Sequence, residues 1–178
     1  MSIDVTKSLL GDHLPIPREM EGMPRWLRWR LVERKGGKPA KMPITLSGRP
    51  ARVNDADDWA DYFDALWTRK GQGMGFVLGE GVGCIDLDDA LTADGTLTAW
   101  AERIVARAPR TFMEVSQSGT GLHIWGLLDE APGRNLRTKG MSVEVYSQGR
   151  FIALGRTAWA GSAQRLADIT DLAKELTA

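Results

Sequence analysis

The apolar residues of this chain recur with two periods, and the switches between them outline its elements. From Arg25 to Ile44, Leu27, Trp29 and Leu31 alternate with Arg28 and Arg30 ahead of a Gly36-Gly37 turn and a second extended piece, which predicts a β-hairpin. Trp59, Tyr62, Phe63, Leu66 and Trp67 then recur at helical spacing, with Asn54 placed to cap the helix and Gly71 to stop it, so these aromatics are expected in the core. GMGFVLGEGVGCIDLDD, from Gly73 to Asp89, predicts two strands joined as a hairpin by Gly79-Glu80-Gly81. Leu97, Trp100, Ala101, Ile104, Val105 and Ala108 mark a helix ending near Pro109. Strands are expected over 111–116 and 122–128, then a polar loop with Arg134, Arg137 and Lys139, then a hairpin within SVEVYSQGRFIALG, from Ser142 to Gly155. Leu166, Ile169, Leu172 and Leu176 mark a last helix, and residues 1–24, with Pro15, Pro17 and Pro24, are expected to be an irregular lead-in in which His13 is a surface histidine.

This pattern implies an α+β fold: a mostly antiparallel sheet with helices on its other side, preceded by a small basic N-terminal part. Its expected organisation is a lead-in over 1–24, a basic part over 25–72, a core over 73–160 and a terminal helix over 161–178.

A chain of 178 residues can hold a core of its own. Its 23 basic and 23 acidic residues balance, so any site for a polyanion must come from local clustering. Arg25, Arg28, Arg30, Arg34, Lys35, Lys38 and Lys41, with Arg49 and Arg52 close behind, form such a cluster; a phosphate-binding surface and a solvated strand face would both look like this. One cysteine, Cys84, excludes an internal disulfide, and two histidines leave no Cys/His set for structural zinc. With neither a secretory leader pattern nor a run of about 18 apolar residues, the expected location is the cytoplasm, away from membranes.

The polar exceptions inside apolar strand patterns carry the candidate chemistry. In a strand, Asp86 and Asp88 share one face while Ile85 and Leu87 take the other. Two carboxylates about 4 Å apart repel by roughly 4 kcal/mol at an effective dielectric of about 20, so such a pair calls for a proton or a divalent cation. Oxygen-only donors with Asp89 beside them suit Mg²⁺ or Mn²⁺ better than zinc. His123 follows the Ser118-Gly119-Thr120-Gly121 turn, whose bare N–H groups and hydroxyls suit an anion; a packing histidine is the alternative. Glu144 stands in a further strand-forming run, and Arg150 begins the next; it is either a phosphate contact, a surface arginine or an ion pair to Glu144.

The order hhDhD, SGTGLH, then hEhYxxGRFhxLG resembles the three motifs of the archaeo-eukaryotic primase superfamily, and specifically the prim-pol domain of phage and plasmid replication proteins. The likeness runs from about Pro24 to Gly155 and includes Gly37-Lys38-Pro39-Ala40-Lys41-Met42-Pro43, the helix near Trp59 and GMGFVLG. It implies an RRM-like catalytic core in which Asp86, Asp88 and Glu144 hold a two-metal site of Mg²⁺ or Mn²⁺. His123 and Arg150 would contact the phosphates of an incoming NTP or dNTP, helped by the turn of Ser118, Gly119 and Thr120. Arg28, Arg30, Lys38 and Lys41 would contact single-stranded or primer-template DNA.

Two positions depart from the family pattern. Gly121 stands where many members have serine, leaving Ser118 or Thr120 to supply any hydroxyl, and Leu154 rather than threonine precedes Gly155. The implied activity is template-directed nucleotidyl transfer, as a DNA primase and polymerase, with a replicative helicase as a partner in cis or trans. The alternatives are a single-stranded DNA-binding module without catalysis and a metal-dependent phosphodiesterase.

Overall fold

The computed structural model describes residues 15–138, 140–155 and 157–178, so His13 and Lys139 fall outside the described residues. Among these the fold is α+β, with ten strands in two sheets and four short α-helices. The elements are α1 (Arg18–Glu21), β1 (Trp26–Arg34), β2 (Gly37–Ile44), α2 (Tyr62–Trp67), β3 (Gly73–Val77), β4 (Val82–Asp88), α3 (Ala99–Val105), β5 (Met113–Val115), β6 (Leu122–Leu127), β7 (Arg134–Thr138), β8 (Met141–Tyr146), β9 (Phe151–Ala153), β10 (Thr157–Ala158) and α4 (Thr170–Leu176). The first sheet has the order β2-β1-β3-β9 and the second β10-β5-β6-β4-β8-β7, with every strand pair antiparallel.

The expected single sheet is thus two, and the reason lies at the corners. Strands β3 and β4 flank Gly79-Glu80-Gly81 as expected, but they do not pair as a hairpin: β3 belongs to the first sheet and β4 to the second. All three corner residues have positive φ, which two glycines and a solvent-facing Glu80 tolerate. Arg25 plugs this corner from beneath. Its Nε and Nη2 donate to the carbonyls of Val77 and Leu78 at 2.8 Å each, and its guanidinium lies 4.3 Å from the Trp59 ring centroid.

Strands β8 and β9 part in the same way, so the second expected hairpin is also a crossover. The two corners meet where the Leu78 N–H donates to the Arg150 carbonyl at 2.9 Å. The supposed polar loop after β6 contains β7, which supplies β8 with its antiparallel neighbour in place of β9.

Alternation along β4 separates two cores. Ile85 and Leu87 pack with Leu122, Ile124, Val143 and Val145 under α3 and α4, through Ala101, Ile104, Leu172 and Ala173. On the opposite face Cys84 and Trp125 join Trp26, Phe76 and Met20 in the core between the sheets. Fully burying such a side chain contributes about 1.5–3 kcal/mol, so both faces of β4 are fixed by packing. Further along that second face, the same alternation brings Asp86 and then Asp88 to the surface end of the strand.

The helix expected from Asn54 is shorter than its pattern. A 3₁₀ turn, Ala56–Asp58, precedes it, and α2 runs only over Tyr62–Trp67 with Asp61 at its N-cap. Tyr62 and Ala65 face the core, but Phe63 and Trp67 are 42% and 64% exposed, contrary to the expectation that the aromatics are core. The end of the lead-in is also ordered: α1 seats Met20 in the core between the sheets, with Ile16 before it. Among the described residues no helix is long and apolar enough to cross a membrane.

Candidate active site

Register assembles the site. Glu114 of β5 pairs with His123 of β6, His123 with Asp86 of β4, Asp86 with Glu144 of β8, and Glu144 with Asn135 of β7. Residues directly opposite in a sheet share a face, so one row across five strands carries all of these groups. Asp88, two residues along β4 on the same face, pairs with Ser142, whose hydroxyl lies 3.4 Å from its carboxylate. Asp86, Asp88, His123 and Glu144 are therefore brought together as expected.

Each end of the row is held differently. His123 Nδ1 lies 2.9 Å from Glu114 Oε1, which also accepts from Trp125 Nε1 at 3.0 Å. An acceptor on that side puts the proton on Nδ1 and turns Nε2 toward Asp86, 3.7 Å from Oδ1. Glu114 is fully buried, and its Oε2 has no hydrogen-bond partner among the described residues. Burial opposes charge on His123, but Asp86 and Glu114 outweigh it and raise its pKa. Burial, with Asp88 and Glu144 alongside, pushes the Asp86 carboxyl above the ordinary range against the pull of His123 and Lys41.

At the other end Glu144 is engaged. Its Oε1 accepts from Asn135 Nδ2 at 2.6 Å and Arg137 Nη2 at 3.1 Å, and Oε2 accepts from the Tyr146 hydroxyl at 3.0 Å. Arg150 lies across the Tyr146 ring with its Cζ 4.3 Å from the centroid, donates to that hydroxyl at 2.7 Å, and stands 3.9 Å from Glu144.

The turn before β6 completes the wall. Gly119 has φ +82°, which brings the hydroxyls of Ser116, Ser118 and Thr120 into a chain of contacts at 2.9 and 3.1 Å that ends on Asp89 at 3.2 Å. A side chain at Gly121 would meet Ser116 Oγ at 2.8 Å and the Leu87 carbonyl at 2.9 Å, which accounts for glycine at this departure from the motif.

Two adjoining cavities, of about 530 and 240 Å³, open over the row. The larger is lined by Lys38, Lys41, Asp86, Asp88, Ser118 and Thr120, among others; the smaller adds Glu144, Tyr146, Arg150 and Phe151 to Lys41, Asp86 and His123.

The basic cluster does not act as one surface. In the β1–β2 register Lys41 faces Leu31 and Arg30 faces Met42, so Lys41 and Arg30 lie on opposite faces of the sheet. Lys38 and Lys41 line the cavity, whereas Arg28 donates to the carbonyls of Lys70 at 2.8 Å and Ala65 at 3.3 Å. Arg49 and Arg52 close on buried Asp58, which also accepts the Arg52 N–H at 2.8 Å.

Pattern reading missed Glu114, Asn135, Arg137 and Tyr146. Glu114 had a signal, an acid flanked by Met113 and Val115 in a strand; Asn135 and Arg137 had none, because their segment reads as loop.

The residues fit hard divalent cations in donor type: Asp86 and Asp88 share a face, and the half-buried Asp86 lies among like charges. Among the described residues, however, no group of three His, Cys, Asp or Glu side chains is arranged to hold an ion, because Glu144 is turned to Asn135 and Arg137. Glu144 would have to leave these partners to serve as a third ligand.

No family model matches this chain. It is similar to a protein named DNA primase-polymerase from Nitratiruptor phage NrS-1, at 26% identity over 151 residues, or 79% of this chain. It spans 20% of that protein's length. The similarity supports a prim-pol domain over most of the chain, in agreement with the motif order.

Proposed function

We propose that this domain is a metal-dependent, template-directed nucleotidyltransferase that extends and initiates strands in DNA replication. The observation that carries the reading is the row His123–Asp86–Glu144 across three adjacent strands, with Asp88 beside it and Lys38, Lys41 and Arg150 around the same cavities. A named phage primase-polymerase among its relatives supports it.

Asp86 and Asp88, with Glu144 once released, would hold Mg²⁺ or Mn²⁺, which supplies charge neutralisation at the attacking and leaving oxygens of phosphoryl transfer. The chain's own groups do the positioning. With Nδ1–H held by Glu114, a protonated His123, whose pKa the flanking acids raise, donates from Nε2 toward a phosphate oxygen of the nucleotide. Lys38 and Lys41 offset the triphosphate charge from the facing sheet, and the N–H groups and hydroxyls of Ser118, Gly119 and Thr120 cradle it. Arg150 can exchange the Tyr146 hydroxyl for a phosphate, leaving Tyr146 to hold Glu144.

The test is incubation with a primed DNA template, Mn²⁺ or Mg²⁺ and dNTPs, paired with an unprimed template and labelled nucleotides. Extension in the first and dinucleotides in the second are the expected results. Shortened strands would instead identify a phosphodiesterase. Tight DNA binding with no product would favour the binding-module reading, for which the engagement of Glu144 by Arg137 and Asn135 is the specific support.

A further inference from the structure

On α2, outside the acid cleft, Phe63 and Trp67 lie one helical turn apart with ring centroids 5.5 Å apart and planes tilted by 35°. Both are exposed, Trp67 to 64%. Ring contacts nonetheless connect them to the core: Phe63 meets Tyr62 edge-on at 5.2 Å, and Tyr62 meets the fully buried Trp26 at 5.0 Å. Arg28 ties the same end of the helix to β1 through the carbonyls of Ala65 and Lys70. Arg69 and Lys70, just beyond the helix, and Arg30, on the strand face it shares with Arg28, are exposed. Open rings on such a support, with Arg69 and Lys70 following in the chain, Arg30 beside Arg28 on β1 and only Asp61 and Asp64 as exposed acids of the helix, offer what a sequence-tolerant strand binder needs: π-faces for bases and positive charge for phosphates.

We propose that Phe63 and Trp67 form a base-stacking platform for single-stranded nucleic acid, with Arg30, Arg69 and Lys70 holding its phosphates. A protein partner is the poorer occupant. Two rings bordered by charge lack the broad apolar centre of a protein interface, whereas the flanking cations complement a polyanion. Because Arg30 and Lys41 lie on opposite faces of the first sheet, the platform is separate from the cavity that Lys41 lines. The proposal rests on the nucleotidyltransferase reading only in taking the bound strand to be the template; the binding itself stands without it.

The experiment measures anisotropy of a labelled oligo-dT with the full chain, without nucleotide or divalent cation. The Phe63→Ala/Trp67→Ala double variant should bind about 5- to 150-fold more weakly for each stacked base lost, with Trp67→Phe recovering part. An abasic oligonucleotide should bind the original protein as weakly as oligo-dT binds the double variant. Arg30→Ala/Arg69→Ala/Lys70→Ala should flatten the salt dependence, while the aromatic variant keeps its slope.

Unchanged oligo-dT affinity in a double variant with an intact circular dichroism spectrum overturns the proposal. So does unchanged affinity accompanied by lost self-association in sedimentation, which would give the face to a second copy of the chain. A protein that binds oligo-dT through these rings but extends no primer would refute the catalytic reading and leave the platform standing. The reverse combination would remove the platform alone.

Discussion

His123 on β6 is held by Glu114 on β5 across a 2.9 Å contact inside the protein, so the histidine's free nitrogen is aimed by a residue that never reaches the cavity. Glu114→Ala would leave both His123 Nδ1 and Trp125 Nε1 without their acceptor in a buried setting. Unpaired buried groups cost about 1–3 kcal/mol each, so urea unfolding should show a loss of about 2–6 kcal/mol. Glu114→Gln keeps one acceptor and should lose less. In extension assays it should raise KM for the nucleotide more than it lowers kcat, a split that a general loosening of the fold would not give.

Asp88→Asn should leave the unfolding temperature without metal unchanged or slightly raised, since it removes one of three neighbouring anions. Added Mn²⁺ should raise the unfolding temperature of the original protein and not that of the variant, because a ligand stabilises only the state that binds it. Equal shifts in calorimetry would place the cation elsewhere. Extension should be abolished in the variant.

Arg150→Ala removes both the stack on Tyr146 and a charge-assisted donor. A hydrogen bond to a charged group contributes about 1.5–3 kcal/mol, so apparent nucleotide affinity should fall by about 10- to 150-fold while oligo-dT binding stays intact. Arg150→Lys should recover part, lacking the flat guanidinium for the ring and the paired donors. Extension rate against dNTP concentration for the three proteins reads this directly.

The backbone N–H of Arg52, with the Arg49 and Arg52 guanidinium groups, holds the Asp58 carboxyl down to about 2. A carboxylate whose folded pKa is lowered contributes stability that is complete above its unfolded pKa, near 3.9, and disappears as pH falls toward about 2. Acid titration of stability between about pH 4 and 2 should therefore be shallower in Asp58→Asn than in the original protein. Identical slopes would mean the pair does not couple to folding.

A Cβ at Gly155 would come within 2.0 Å of the Val115 carbonyl. Backbone cannot yield as a flexible side chain does, so Gly155→Ala should destabilise by about 1–3 kcal/mol or more, measured by denaturant midpoint. This close approach, rather than contact with a ligand, is the physical reason for glycine there.

The sequence made the acids and the histidine legible because each interrupts an apolar strand pattern, and strand alternation alone puts Asp86 and Asp88 on one face. It did not reveal which strands pair. Gly79-Glu80-Gly81 and Ser147-Gln148-Gly149 carry turn chemistry that serves a hairpin and a corner between sheets equally well, so the turns were found and their partners were not. The aromatic period of α2 misled for a related reason. A helix of six residues has room to bury Tyr62 and Ala65, but its other flank faces water, and spacing does not say which flank is which. The divided basic cluster is a matter of register, since one step along β1 moves a side chain through the sheet.

Strand β3 borders β9 on one side, and β9 comes from the last third of the chain. As the polypeptide emerges during synthesis, β1, β2 and β3 can meet early, but one row of β3's N–H and C=O groups must wait for Phe151–Ala153. An edge left open in this way invites pairing with another molecule. A gene shortened before Phe151 would thus yield a polypeptide prone to aggregate even though it retains all three cleft carboxylates, and a ribosome paused there would hold the nascent protein at its most adhesive stage.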